Sequence, residues 1–182
     1  ITYRDSYTYP DRIRFYVSRH TADENSLYTS EVMQTKVAPD GKLYVVTLGG
    51  GLQYADAGNL LQDDLRFKPV EDKDGNAATQ IYSNGTIQSL LTDNQGDLWV
   101  IGESRIACIG KSGLKEYGAD EIGGVNISEG MPSHSAKTDR IVIPTEGGAI
   151  FFLPKRMDRS SYAPNIVFTS IRYMDRDNEQ PI

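Results

Sequence analysis

The chain has 182 residues, 38% of them hydrophobic, with one cysteine, two histidines and a formal net charge of −6. An acidic balance without a basic stripe excludes phosphate neutralisation, so neither nucleic acid nor an anionic membrane surface is an expected partner. One cysteine excludes an intrachain disulfide, a Cys/His zinc site is not supported by so few ligands, and no run approaches the ~20 apolar residues of a membrane helix.

Taken in chain order, the first strand-like run is Ile13-Arg-Phe-Tyr-Val17, read as the outer strand of a preceding incomplete blade within residues 1–25. A repeat then sets in. Its first copy is Val37-Ala-Pro-Asp-Gly-Lys-Leu-Tyr-Val-Val-Thr47 followed by Gly49-Gly-Gly-Leu-Gln-Tyr54. Its second is Leu91-Thr-Asp-Asn-Gln-Gly-Asp-Leu-Trp-Val-Ile-Gly102 followed by Arg105-Ile-Ala-Cys-Ile109. The third is Lys137-Thr-Asp-Arg-Ile-Val-Ile-Pro144 followed by Glu146-Gly-Gly-Ala-Ile-Phe-Phe-Leu153.

Each copy reads as strand, tight turn, strand, glycine turn, strand. Asp40-Gly41 and Gln95-Gly96 supply the positive φ that a short hairpin turn needs. Tyr44 and Trp99 hold the same place 55 residues apart (99 − 44), and Trp99 and Val142 lie 43 apart (142 − 99). Such spacing suits four-stranded propeller blades of ~40–45 residues, with the first interval lengthened by the polar insertion from Val70 to Thr79. Outer strands are predicted near Arg66–Val70 and Leu114–Tyr117.

The expected architecture is all-β. It is a partial β-propeller of about three four-stranded blades, with the first strand of a following β-sandwich domain. Blades are expected at 26–70, at 71–122 with a leading loop insertion, and at 123–157 as a degenerate terminal blade. Residues 158–182 read as a linker and the opening strand, Pro164 to Met174, of an immunoglobulin-like domain. About three blades do not close a ring, so self-association through the open flanks, or packing in a dimeric receptor, is expected.

No catalytic or metal site is expected. Ser133, His134 and Ser135 adjoin in sequence, but adjacency along a chain does not put a base on its nucleophile. Asp72-Lys-Asp-Gly-Asn76 lacks the full oxygen run and closing Glu of a calcium loop. Trp99 sits mid-strand, where packing between blades is its expected role, and Cys108 reads as a buried core thiol. The polar loops ahead of each repeat share one face in a propeller, and there Tyr28, Asn84, Ser133 and His134 are the candidate ligand-binding residues.

The repeat resembles the two-component regulator propeller repeats of bacterial hybrid two-component sensors, most closely over Ile87 to Gly102. Glu129-Gly-Met-Pro-Ser-His-Ser135 is similar to the loop ahead of a blade in that family, and Ala149-Ile-Phe-Phe-Leu-Pro154 to its final-blade ending. Pro164 to Tyr173 resembles the start of the immunoglobulin-like domain that follows. The third copy departs from the pattern, with Asp139-Arg140 at the glycine turn and Ile141-Val142 in place of Leu-Trp. The resemblance implies a periplasmic, non-catalytic sensor fragment without cofactor. It would recognise an oligosaccharide or other small polar ligand and pass the signal to a histidine kinase outside this chain. Two other readings stay open: a fragment of a propeller enzyme of the polysaccharide or streptogramin lyase kind, and a protein-interaction propeller.

Overall fold

A computed structural model describes residues 26–59, 65–71 and 87–157, with the strand residues 2–5, 12–15, 172–175 and 178–181. The chain is all-β, a partial β-propeller built of antiparallel sheets. The first sheet holds β3 (Val32–Val37), β4 (Lys42–Thr47), β5 (Gly51–Asp56) and β6 (Lys68–Pro69) in chain order. The second repeats that order with β7 (Ile87–Thr92), β8 (Leu98–Gly102), β9 (Ile106–Gly110) and β10 (Gly113–Tyr117). Among the described residues the third has three strands, β11 (Ser133–Ser135), β12 (Arg140–Thr145) and β13 (Gly148–Phe152). After β13 the chain enters a short 3-10 turn at Pro154–Arg156. There the Tyr117 hydroxyl donates to the Met157 carbonyl at 2.6 Å, drawing the chain toward the second sheet and away from the β13 edge.

At the N-terminus β1 (Thr2–Asp5) pairs with β2 (Arg12–Phe15), which holds part of the run read as the outer strand of a preceding blade. At the other end β14 (Arg172–Asp175) pairs with β15 (Asn178–Pro181). The linker and most of the predicted opening strand of the sandwich lie outside the described residues, as does the insertion beyond Glu71.

The sheets sit side by side with their first strands innermost. β7 lies next to both β3 and β11. The second sheet is consequently covered on both faces, which explains why every residue of β8 is buried and why the run Leu-Trp-Val-Ile is continuously apolar. Side chains alternate across a strand, and β8 sorts them accordingly. Leu98 and Val100 join Tyr44, Val46 and Leu52 of the first sheet in one core. Trp99 and Ile101 join Ile141 and Ile143 of the third in another.

The same alternation explains Val142. Tyr44 is 1% exposed and Trp99 2%, because each faces the next sheet, whereas Val142, the third copy's counterpart, is 39% exposed. Ile141 and Ile143 face back onto the second sheet, as Leu98 and Val100 face the first. Val142 thus points to the side where a fourth sheet would pack. Its cross-strand neighbour Phe151 points the same way and is 72% exposed.

The inner strands β3 and β7 carry a register shift at equivalent places, between Val32 and Gln34 and between Ile87 and Ser89. Gln34 then spans the seam between the sheets: its amide oxygen accepts from the Leu90 N–H at 2.8 Å and its amide nitrogen donates to the Leu90 carbonyl at 3.3 Å. Replacing it by a hydrocarbon of similar size leaves the buried Leu90 N–H without that acceptor. Gln34→Leu is expected to lower stability by about 1–3 kcal/mol in urea unfolding, more than an exposed Gln→Leu change would.

Candidate functional site

Two ends of the sheets carry polar groups: the turns after the inner strands, and the turns between the second and third strands. In the first group, Asp93 organises the turn that joins β7 to β8. Its carboxylate accepts from the Gln95 and Asp97 N–H groups at 2.9 and 3.0 Å and from the Trp99 indole N–H at 2.8 Å. Gly96 completes the turn at φ 84°, a backbone state that suits glycine. The first sheet uses the same device. Asp40 accepts from the Lys42 N–H at 3.1 Å and from the Tyr44 hydroxyl at 2.8 Å. Burial first, and then the Asp40 carboxylate, push the Tyr44 hydroxyl far above the usual phenol range. In both sheets a turn carboxylate satisfies the one polar atom of the aromatic that faces the next sheet.

The third sheet varies this scheme. Asp139 ends the turn from β11 to β12 in the left-handed region, at φ 51°, a state that Asp tolerates better than most residues. Its buried carboxylate accepts from the Asn94 N–H at 3.2 Å and the Gln95 side-chain amide at 3.1 Å, and lies 3.1 Å from His134 Nε2. Asn94 Nδ2 adds a bond to the Ala136 carbonyl at 2.8 Å. Burial alone would raise the Asp139 carboxyl. The Asn94 N–H, the His134 ring and the Gln95 amide outweigh it and hold the group below the ordinary carboxylate range. These groups form a polar latch between the second and third sheets.

His134, read as a loop residue and ligand-binding candidate, is a strand residue whose ring is turned into that seam. Ser133 lies on the other face of β11, opposite Val142, and is exposed on the open flank. Strand alternation points the Ser133 hydroxyl and the His134 imidazole to opposite sides, so the pair does not form a nucleophile and its base.

Tyr28 sits at the other end of the sheets. It is 47% exposed, and its N–H donates to Gln53 Oε1 at 2.9 Å, while Gln53 Nε2 donates to the Ser26 carbonyl at 3.0 Å. Gln53 itself is fully buried in β5 and anchors this segment to the sheet. Close by, a methyl group built on Gly50 would meet Thr47 Oγ1 and lie 2.8 Å from Tyr28 Cβ. Gly50→Ala is accordingly expected to cost about 1–3 kcal/mol and to raise amide exchange at Tyr28, whereas the open position Gly49 has steric room and only its φ of 68° to oppose a change.

The three candidate residues that are described, Tyr28, Ser133 and His134, do not share one rim. Tyr28 marks the end where the inner strands begin, His134 lies in the seam near where they end, and Ser133 is on the flank. Asn84 and the Asp72–Asn76 turn lie outside the described residues. Sequence reading missed Asp139, Gln34 and Gln53, the residues that bind sheet to sheet or loop to sheet. One signal was available: Asp139 stands where the other copies have a turn glycine, and Asp tolerates the left-handed conformation.

No family model and no curated protein matches the chain. Among solved structures, it is similar to the extracellular domain of a Bacteroides thetaiotaomicron protein described in one structure as a hybrid two-component system and in another as a one-component system. The first is 17% identical, with 92% of this chain and 27% of that one covered and a TM-score of 0.41. The second is 16% identical, with 96% and 29% covered and the same TM-score of 0.41. This chain thus spans less than a third of the length of either structure. Among the described residues no helix is long and apolar enough to cross a membrane.

Proposed function

We propose that this chain is a non-catalytic stretch of the extracytoplasmic, periplasmic sensor region of a membrane-bound hybrid two-component receptor. In this reading it helps recognise a glycan or a glycan breakdown product, and a histidine kinase elsewhere in the receptor carries out phosphoryl transfer. One observation carries the proposal: the repeat whose motif runs from Ile87 to Gly102 folds as a sheet packed on both faces by its neighbours, as a propeller blade is. The order of features after the last repeat, a Pro-ended blade followed by a further strand-rich segment, adds support from the sequence. Signal passage from ligand to kinase then needs blades that move together, and the Gln34 bridge and the Asp139 latch supply the couplings between them.

The open flank marked by Val142 and Phe151 supports a second element of the proposal, association with another copy or another blade through that face.

Isothermal calorimetry of plant and host oligosaccharides against the complete parent ectodomain, repeated with this chain, tests the reading. Saturable heat without chemical turnover is the expected result. Cleavage of the sugar favours the lyase-like alternative instead, and a silent panel favours a propeller that binds protein partners.

A further inference from the structure

The first and third sheets do not offer equivalent outer faces. The face of the first sheet that turns away from the second is closed: Val45 is 2% exposed and Ala55 1%, packed with Leu27 and Phe67. On the third sheet the outward side is open, with Val142 and Phe151 paired across the strands and Ala149 exposed beside them. Met131, 85% exposed, borders this patch, because a β-carbon on the neighbouring Gly130 would lie 2.9 Å from the Pro144 ring. The patch is not built like the seams between sheets. In both of those, the position of Val142 holds an aromatic whose polar atom meets a turn carboxylate, Tyr44 on Asp40 and Trp99 on Asp93. Val142 has no polar atom, and the Asp139 carboxylate is turned back to the second sheet. Opposite charges bound the flank. Exposed Arg140 begins β12, and exposed Glu146 follows its end, where its carboxylate accepts from the neutral Asn126 amide at 3.3 Å.

We propose that this flank binds the same flank of a second copy, face to face across a two-fold axis, which rests on the flank association proposed above and fixes its partner and symmetry. A head-to-tail contact needs two different complementary surfaces and can grow without limit, whereas a two-fold contact uses one patch twice and stops at a dimer. The closed face of the first sheet removes the surface that head-to-tail packing of sheet on sheet requires. Charge sets the orientation. Ile143 lies midway between Arg140 and Glu146, so an axis crossing β12 there runs the two strands antiparallel. Each Arg140 then meets the Glu146 of the other copy. An axis along β12 would instead set Arg140 against Arg140 and Glu146 against Glu146, and like charges across an interface oppose association.

Sedimentation equilibrium of the 182-residue chain and of charge-reversed variants tests this contact. The wild type should fit a monomer–dimer equilibrium without larger species, with a dissociation constant of about 10–100 μM, as suits a small face. Arg140→Glu or Glu146→Arg alone should weaken the dimer about ten-fold, because the axis places each like-charge clash in the interface twice. Mixing the two variants should restore the wild-type affinity, since both contacts of the mixed dimer then join a glutamate to an arginine. Both positions are exposed, so unchanged circular dichroism separates lost association from lost folding. Assembly that continues past the dimer, or a mixture as weak as its components, would overturn the two-fold contact. If Phe151→Asp still abolished that assembly, flank association itself would stand. A wild-type chain that stays monomeric at every concentration would overturn both.

Discussion

Trp99→Ala is expected to destabilise the chain by about 3–5 kcal/mol, the range for truncating a large buried aromatic. The indole is 2% exposed and lies in the seam between the second and third sheets. It stacks on Tyr117 at 6.0 Å and meets Phe152 at 4.9 Å, so alanine would remove contacts from both sheets at once. It would also leave one Asp93 oxygen without its indole donor at 2.8 Å. Trp99→Phe separates these effects. It keeps a ring between Tyr117 and Phe152 but cannot donate to Asp93, and should cost about 1–2 kcal/mol. Combining Trp99→Phe with Asp93→Ala in a double-mutant cycle should give a coupling of about 1 kcal/mol. Chemical denaturation followed by far-ultraviolet circular dichroism supplies all these values. A loss below about 1 kcal/mol for Trp99→Ala would mean that the indole is solvated and that the second and third sheets do not pack as described.

Asp139→Ala comes next in size, at about 2–4 kcal/mol, since it removes a buried anion that holds three donors and puts a β-carbon in the left-handed region without a side chain to stabilise it. Asp139→Asn retains the tolerance for that backbone state and one acceptor oxygen, and should cost less. The carboxyl also predicts an acid dependence. Although burial opposes ionisation, the Asn94 N–H, the His134 ring and the Gln95 amide lower the folded-state value below the ordinary 3.8. A carboxylate depressed on folding contributes stability above its unfolded pKa and loses it as the pH falls through its folded value. The latch should therefore hold at neutral pH and weaken below about pH 4. Urea midpoints measured from about pH 3 to pH 7 should fall more steeply on the acid side for the wild type than for Asp139→Ala. Parallel acid limbs would remove Asp139 from the inter-sheet latch.

Periodic features were legible in the sequence and single polar residues were not. Glycine turns and the equivalent aromatics Tyr44 and Trp99 marked the sheets, because a hairpin turn and a strand facing a neighbour each impose a residue type locally. The predicted outer strands were found at Lys68–Pro69 and Gly113–Tyr117. β11 escaped notice: Ser-His-Ser has no apolar alternation, and its strand conformation comes from pairing with β12. Gln34, Gln53 and Asp139 escaped for a related reason. Their partners lie 56, 25 to 27, and 44 to 45 residues away, apart from His134, so nothing beside them in sequence announces their roles. His134 was singled out for its chemistry, and the fold spends that chemistry on the seam.

An open arc of blades leaves flanks that a closed ring would bury. The far side of the third sheet carries the exposed Val142 and Phe151, whereas on the first sheet Val32, Met33 and Val37 of the inner strand are exposed beside a buried cluster of Leu27, Val45, Ala55 and Phe67. Sedimentation equilibrium of the chain over a wide concentration range tests that arrangement most directly. The arc predicts concentration-dependent self-association that Phe151→Asp suppresses without unfolding the chain, because Phe151 is 72% exposed. A folded chain that stays monomeric at every concentration would contradict it.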